Sequence, residues 1–433
     1  MPLHPDTDVI LTIEKPVTGG RMLARHEGQI VFVAGAIPGE RVRARVRQVE
    51  KQLAFADTVD VLEPSPDRRP TTVDPACGGS LYAHVAYPRQ LALKSALVAD
   101  SFERIAKVTL PSAVGVMASE EQGYRMRARL HASRGRFGFF REGSHDWCDA
   151  GPTRQLLAAT VDALGQLQAS LIKAGVARVS SCELSENAPA NERAVLIELA
   201  PSHGASVNID PIDGITGVLF SDGQSPRLSV GYGTPYVTDA IEVAGSSVTL
   251  TRHVRSFFQG NRYLLSPLLN KVMLQVPDGR VTDLYAGVGL FAVSVAALGR
   301  QDIIAVEGDR SSARDLESNA EAAGRDVHVV HMSVEHYLQR RDLERPDTLL
   351  LDPPRTGVSR DAMSGILGLK PPRIVYVSCD PATLARDVKR LMEADYSLAH
   401  IEAFDLFPNT PHVETLAVLT RGTNVVVATQ AAS

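Results

Sequence analysis

From Val281 onward the chain repeats one pattern: a short apolar run, then an interval long enough for a helix. The runs are Val281–Tyr285, Ile303–Glu307, Val327–His331, Thr348–Asp352 and Ile374–Ser378. This alternation leaves few folds open. Strands joined by helical crossovers pair in parallel, and the crossovers cover both faces of the sheet. The predicted fold class is therefore α/β, with a mostly parallel, doubly wound, Rossmann-like sheet. Such sheets bind their ligands beyond the carboxyl ends of the strands, so the residue that closes each run is the one to inspect for chemistry.

The first run leads into VTDLYAGVGLF, a G-x-G turn at Gly287 and Gly289 placed before a helical stretch. Glycines there let the backbone pass close to a ligand. Dinucleotide enzymes share a lone G-x-G, but three details set this one apart. The third glycine of G-x-G-x-x-G is missing. Asp283 sits at the end of the first strand, and Glu307 ends the next, 24 residues further on, where an acid suits ribose hydroxyls. An acidic strand end without a phosphate-binding helix start suits S-adenosylmethionine, which carries a sulfonium and an amino group but no phosphate. A nicotinamide enzyme is the alternative at this point. Two more strand ends carry chemistry. LLLDPPRTG puts Asp352 on the same edge, followed by a stiff double-proline turn, and IVYVSCDP puts Cys379 there. A single cysteine is more often an inert, small buried residue. At a strand end beside a cofactor loop it has the position of a nucleophile.

At 433 residues the chain is long enough for two or three domains. A content of 44% hydrophobic and 22% charged residues excludes a disordered chain, a coiled coil and a collagen-like fibre. The N-terminus lacks a basic flank followed by an apolar core, and the longest apolar stretch is too short to span a bilayer. A soluble cytoplasmic protein, monomeric and away from membranes, is the expectation. Residues 1–64 read as short strands (Val9–Glu14, Gly28–Ala34, Arg41–Val49, Phe55–Leu62) and suggest a small barrel of the oligonucleotide-binding type. A proline-rich linker, Glu63–Pro75, leads to a central α+β domain over 76–255, with helices near Arg89–Arg104 and Pro152–Ala174. The catalytic domain then spans 256–433. Four cysteines (Cys77, Cys148, Cys182, Cys379) lie far apart with no C-x-x-C pair, which argues against a disulfide framework or a complete zinc site.

The net charge of −5 does not advertise a nucleic-acid binder, but arginines cluster locally. Arg41, Arg43, Arg45 and Arg47 recur every second residue, so a strand would present them on one face and Val42, Ala44 and Val46 on the other. Arg125, Arg127, Arg129, Arg134, Arg136 and Arg141 occur in a stretch with no acid. These stripes are either solvated faces or phosphate-tracking surfaces.

Taken together, the motifs resemble those of the RNA uracil-C5 methyltransferases, which make 5-methyluridine in transfer or ribosomal RNA. DLYAGVGLF, LLLDPPRTG, VYVSCDPATLARD and FDLFPNTPHVETLAVLTR match in order, preceded by the less distinctive FFQGN. The N-terminal barrel resembles the TRAM domain of many members, and YRMRARL with GFFREGSH resembles their central domain. The resemblance implies a class I, S-adenosylmethionine-dependent enzyme with Cys379 as nucleophile and Glu414 as general base. Gln259, Tyr285, Glu307 and Asp352 would bind the cofactor, with Asp352 holding the cofactor or the uracil. Arg355 would lie near the ring or a phosphate, and RNA, as rRNA or tRNA, would be the partner held by the barrel and the central domain. Phe404 and Phe407 are expected in the core rather than as stacking platforms.

Two departures from the family pattern stand out. Many relatives bind an iron–sulfur cluster through C-x5-C-x2-C and a later cysteine. Here those positions read Thr71, Cys77, Ser80 and, as aligned, Gly151, so no cluster is expected. An asparagine after the second glycine in some relatives is Leu290 here. Two rival readings remain at this level. An RNA cytosine-C5 methyltransferase would carry a cysteine in the aspartate loop, where this chain has Asp352-Pro353-Pro354-Arg355. An RNA-binding or folding factor without catalysis would have no need of Cys379 and Glu414.

Overall fold

The computed structural model describes residues 3–422 apart from 111–112, 134, 177–178, 200–206, 208, 223–227 and 325, so Arg134 of the second arginine stretch lies outside the described residues. Strands β1 (Asp8–Pro16), β2 (Met22–His26), β3 (Gln29–Ala34), β4 (Arg41–Val49) and β5 (Leu53–Glu63) close into a barrel in the order β1-β2-β3-β5-β4. Its interior holds Leu11, Ile13, Val31, Val33, Val42, Ala44, Val46 and Ala56. The sequence reading missed β2, because Met22, Leu23 and Ala24 are buried in succession and so show no alternation. In β4 the period of two holds, and the four arginines face solvent. Each meets a carboxylate: Arg41 with Glu63 (3.1 Å), Arg43 with Asp60, Arg45 with Asp8 (2.8 Å) and Arg47 with Asp57 (2.9 Å). The acids come from the neighbouring strands β1 and β5. The stripe is therefore a solvated, neutralised face. The turn between β1 and β2 lies close to the C-terminal domain: a Cβ added to Gly20 (φ +86°) would lie 3.0 Å from Pro411 and 3.1 Å from Leu81.

The linker leads to α1 (Tyr87–Ser101), a π turn over Phe102–Ala106, and β6 (Val116–Met117). The central sheet follows with β7 (Arg127–Ser133), β8 (Arg136–Phe140) and β9 (Trp147–Asp149), then α2 (Ala158–Lys173), β10 (Val179–Glu186), β11 (Arg193–Leu199), β12 (Gly217–Ser221) and β13 (Ser229–Gly233). These strands form a sheet in the order β13-β12-β11-β10-β7-β8-β9. Leu164, Leu167 and Leu171 of α2 share a core with Leu130, Leu184 and Ile197 of that sheet. The second arginine stretch is also largely compensated: Arg129 meets Glu198, Arg136 meets Asp149 and Arg141 meets Asp74.

A hairpin, β14 (Tyr236–Val243) and β15 (Ser246–His253), precedes α3 (Leu265–Leu274). The wound domain then runs β16 (Val281–Leu284), α4 (Leu290–Ala297), β17 (Ile303–Glu307), α5 (Arg310–Ala322), β18 (Val327–His331), α6 (Val334–Leu338), β19 (Thr348–Leu351), α7 (Arg360–Leu369), β20 (Arg373–Ser378), α8 (Pro381–Met392), β21 (Tyr396–Phe404) and β22 (Glu414–Arg421). Strand order is β18-β17-β16-β19-β20-β22-β21-β6, with β22 antiparallel to both of its neighbours. Strands β16 and β19 are buried along their whole length, as strands covered on both faces must be. The order reverses between β16 and β19, which puts the topological switch point at the glycine loop.

The expected boundaries at 76 and 256 do not follow the cores. Val98, Phe102, Val114 and Val116 pack with Leu351, Tyr376, Leu391 and Ala403, and β6 extends the wound sheet beside β21. At the other end, Ile241, Val243, Val248 and Leu250 of the β14–β15 hairpin pack with Leu269, Val293 and Leu316. Both segments present apolar faces to the wound sheet's helices and edge, and Val237 of the hairpin also packs on Ala194, Leu196 and Leu219 of the central sheet. The cysteines bring a second correction: Cys77 and Cys148 form a disulfide, with Cα atoms 5.8 Å apart across a separation of 71 residues. The segment just after the linker lies beside the β8–β9 hairpin, where Gly78 N donates to Phe140 O (3.0 Å), and this meeting is invisible in residue spacing. Among the described residues, no helix is long and apolar enough to cross a membrane.

Candidate active site

Four strand ends of the wound sheet meet at one edge. After β16 the chain turns through Tyr285 (φ +65°), Gly287 (φ +57°) and Gly289 (φ +95°) into α4. The two glycines serve different ends. A Cβ on Gly289 would lie 2.7 Å from Leu316 and 2.8 Å from Val293, so this glycine lets the loop pack on α5 and α4. A Cβ on Gly287 would meet nothing within 4 Å, so there the loop faces open space. Glu307, at the end of β17, ties this loop down by accepting N–H groups from Gly287 (2.8 Å) and Asp309 (2.6 Å). Burial raises its carboxyl above the ordinary range.

Asp283 is fully buried and accepts the Ala292 N–H (3.0 Å), but its second oxygen has no partner. Burial and then the charge of Asp352 hold its carboxyl well above the usual range. Gln259, 6% exposed, donates from Nε2 to Asp352 Oδ2 (3.1 Å), and so links the FFQGN segment to the strand end after β19. Burial pushes the Asp352 carboxyl up to about 7, against the Gln259 hydrogen bond, which lowers it.

Cys379 follows β20 directly, and Asp380 caps α8 by accepting the Thr383 N–H (2.7 Å). Strand β22 pairs with β20 so that Thr415 stands opposite Ser378, which brings Glu414 beside Cys379. The thiol is partly buried. It is pushed up to about 12 by burial, then by the charge of Glu414, and eased by Arg355. Glu414 is 2% exposed, and burial followed by Asp352 holds it well above the usual carboxylate range, again eased by Arg355. A thiol and two carboxyls are thus raised together by burial, with one guanidinium easing the thiol and Glu414, and such clustering marks a candidate reactive site.

Gln259, Asp352, Cys379 and Glu414 thus come together, with Glu307 and the glycine loop beside them. Tyr285 differs: its ring packs on the core layer of Tyr376 and Leu351, and the charges it feels are those of Glu335 and Asp387. Phe404 is a core residue, as expected, and Phe407 is partly buried against the core. Arg355 has more influence here than its sequence context suggests. His412 was missed. It is partly buried, and its ring is pushed down to about 4 by burial and by Arg355. Its only signal was its place two residues before Glu414.

A wound sheet with a glycine loop at its switch point and acids at the strand ends is the arrangement of class I methyltransferases, shared in outline with dinucleotide-binding enzymes. A family model described as tRNA (Uracil-5-)-methyltransferase matches residues 222–422, and one described as TRAM domain matches 9–59. An uncharacterised RNA methyltransferase of Thermosynechococcus vestitus is 32% identical, over 93% of this chain and 95% of that protein. The 23S rRNA (uracil(1939)-C(5))-methyltransferase RlmD of Pectobacterium atrosepticum is 31% identical, over 97% and 95%. The solved tRNA (uracil-54, C5)-methyltransferase of Pyrococcus abyssi, in complex with S-adenosyl-L-homocysteine, shares the fold at a TM-score of 0.75. It is 23% identical, over 95% of this chain and all of that one. The chain belongs to the RNA uracil-C5 methyltransferase family. It is an S-adenosylmethionine-dependent RNA methyltransferase with an N-terminal TRAM domain.

The residues here fit that cofactor. The loop has room at Gly287, and Asp283 has a buried oxygen without a partner. They do not fit the iron–sulfur cluster of other members: Cys77 is bonded to Cys148, and Thr71 and Ser80 supply no thiolate.

Proposed function

We propose that this enzyme methylates carbon 5 of one uridine in 23S ribosomal RNA through a covalent adduct on Cys379. The observation that carries the chemistry is the pairing of β20 with β22, which sets a cysteine beside a buried glutamate at a ligand-binding sheet edge. The likeness to RlmD over nearly the whole chain supports ribosomal over transfer RNA. Gln259, Asp352, Glu307 and the loop at Tyr285 would hold S-adenosylmethionine, which supplies an electrophilic methyl group. The Cys379 thiol gives its proton to solvent, its sulfur adds to carbon 6, and the displaced electron pair makes an enolate whose carbon 5 is nucleophilic. Arg355 offsets the negative charge of the thiolate. After carbon 5 is methylated, Glu414 removes its proton, the 5,6 double bond re-forms, and the sulfur leaves. Asp352, held by Gln259, positions the ring or the cofactor.

The barrel and the central domain hold the RNA around an everted uridine. The enzyme acts as a cytoplasmic monomer without an iron–sulfur cluster and away from membranes. Elemental analysis after anaerobic purification and sizing in solution check those points. The main test supplies labelled S-adenosylmethionine with ribosomal and transfer RNA from a strain lacking the protein, followed by nucleoside analysis. Labelled 5-methyluridine in 23S RNA is expected; label in transfer RNA alone, or in 5-methylcytidine, overturns the reading. The Glu414→Gln variant should stall as an RNA–protein band that survives denaturing electrophoresis and disappears when Cys379→Ala is added.

A further inference from the structure

We propose that Asn409 is a positioning residue for Glu414, held in place by Arg69 and Gln90 from the segment that follows the barrel. The inference rests on the reading of Glu414 as the base. Glu414 follows a loop over residues 405–413, in which Thr410 donates from its hydroxyl (2.6 Å) and its N–H (3.3 Å) to Phe407 O. The loop is also held from outside. Asn261 Nδ2 donates to Leu406 O (3.0 Å), Lys94 Nζ to Phe407 O (3.0 Å) and Tyr82 N to Asn409 O (2.8 Å). Lys94 and Asp405, both fully buried, also form an ion pair at the start of the loop.

Asn409 is the centre of this clasp. Its backbone is left-handed, φ +64°, a conformation that costs on the order of 1 kcal/mol and persists where the surroundings impose it. Its Oδ1 accepts from Arg69 Nη2 (2.7 Å) and from Gln90 Nε2 (3.0 Å), and its N–H donates to Gln90 Oε1 (2.8 Å). Gln90 is fully buried, and Arg69 is braced by Glu121 at 3.0 and 2.5 Å. These partners come from 340 and 319 residues earlier in the chain. The reversal they fix lies five residues before Glu414, and a general base must reach its proton within hydrogen-bond distance. The segment between barrel and catalytic sheet therefore does more than connect them: it sets where the base stands.

Two substitutions in the full-length protein separate side-chain positioning from backbone shape. Asn409→Asp keeps the acceptor oxygens and tolerates the left-handed backbone, and should keep kcat within about threefold of wild type. Asn409→Gly keeps the backbone but removes the acceptor. It should lower kcat at least about tenfold with KM values for RNA and S-adenosylmethionine nearly unchanged. Because adduct formation precedes the base's step, Asn409→Gly should accumulate the same denaturation-resistant RNA–protein band as Glu414→Gln. Arg69→Met, which alters the linker and leaves the loop's own sequence intact, should give the same band if Asn409→Gly proves unstable. The proposal is overturned if Asn409→Gly turns over within about twofold of wild type, or if both variants lose activity without the band while Glu414→Gln traps it. A Glu414→Gln variant without the band removes the base assignment and this inference with it, an outcome distinct from the previous two.

Discussion

Acidic and basic side chains meet under opposite conditions in two parts of this molecule. On the barrel wall, Arg41, Arg43, Arg45 and Arg47 face carboxylates in solvent, and the charges cancel pair by pair. At the edge of the wound sheet, Asp283 and Glu414 are buried, Asp352 partly so, and burial raises all three carboxyls above the ordinary carboxylate range. Exposed pairs contribute little to stability and leave a nearly neutral surface. Buried, poorly compensated acids cost stability and are kept where chemistry needs them. The count of arginines along this chain therefore overstates its attraction for RNA, while a few acids at strand ends mark the site.

The sharpest test of the contrast removes the thiol. Cys379→Ala should cut turnover by at least about 10⁴-fold, as loss of a nucleophile does, and leave the Kd for S-adenosylmethionine nearly unchanged. Appreciable residual methylation would mean that the strand edge does not work covalently. In the central domain, the expected effect is on stability. The Cys77–Cys148 bond closes a separation of 71 residues, worth about 4 kcal/mol on loop entropy. Cys148→Ser should then lower the Tm of oxidised protein by on the order of 10 °C, and a reductant should bring wild type to the same value. A reductant-insensitive Tm would show that the pair is not bonded in solution.

The acids offer a pH test of opposite sign to an ordinary salt bridge. Asp352 ionises near 7 in the folded protein against an ordinary 3.8, so its contribution to stability is fully present below 3.8 and is lost as pH rises through 7. Asp352→Asn escapes that loss. It should raise the Tm by on the order of 5 °C at pH 8, with the gain shrinking below 7 and absent near 4. Thermal scans across that range check the sign. A Tm gain that grows toward acid would refute the buried-acid account. The smallest effect is expected on the barrel: Arg43→Gln should change RNA affinity less than about twofold and leave its salt dependence unaltered. A slope smaller by about 0.7 or more would show that Arg43 meets a phosphate after all.

The parallel part of the wound sheet, β16 to β20, was legible because each of those strands is a compact apolar run that ends in a chemically distinct residue, whereas β6, β21 and β22 were not read as its strands. Ile303–Glu307 and Val327–His331 have the same limits in the sequence reading and in the structure. Gln259, Asp352, Cys379 and Glu414 were legible as motif residues, and the sheet's register explains why they meet. What stayed hidden depends on contacts between distant parts of the chain. Nothing near Arg45 shows that Asp8 will face it, and nothing near Cys77 points to Cys148. The same holds for β6 and the β14–β15 hairpin, whose apolar faces do not say which core they join. Gln90 and Lys94 look like ordinary polar positions on an amphipathic helix, yet both are fully buried against the loop that carries Glu414.

The thin turn at Gly20 bears on how such an enzyme can be inherited or rebuilt. A single added carbon at that position would press on Pro411, in the very loop that ends at Glu414. A barrel taken from another protein, even one that folds and binds RNA well, would carry a different turn to this place. Recombination at the linker would then press that turn on Pro411, in the loop before Glu414. A barrel grafted at this seam would need a turn as thin as the one at Gly20 to pass Pro411.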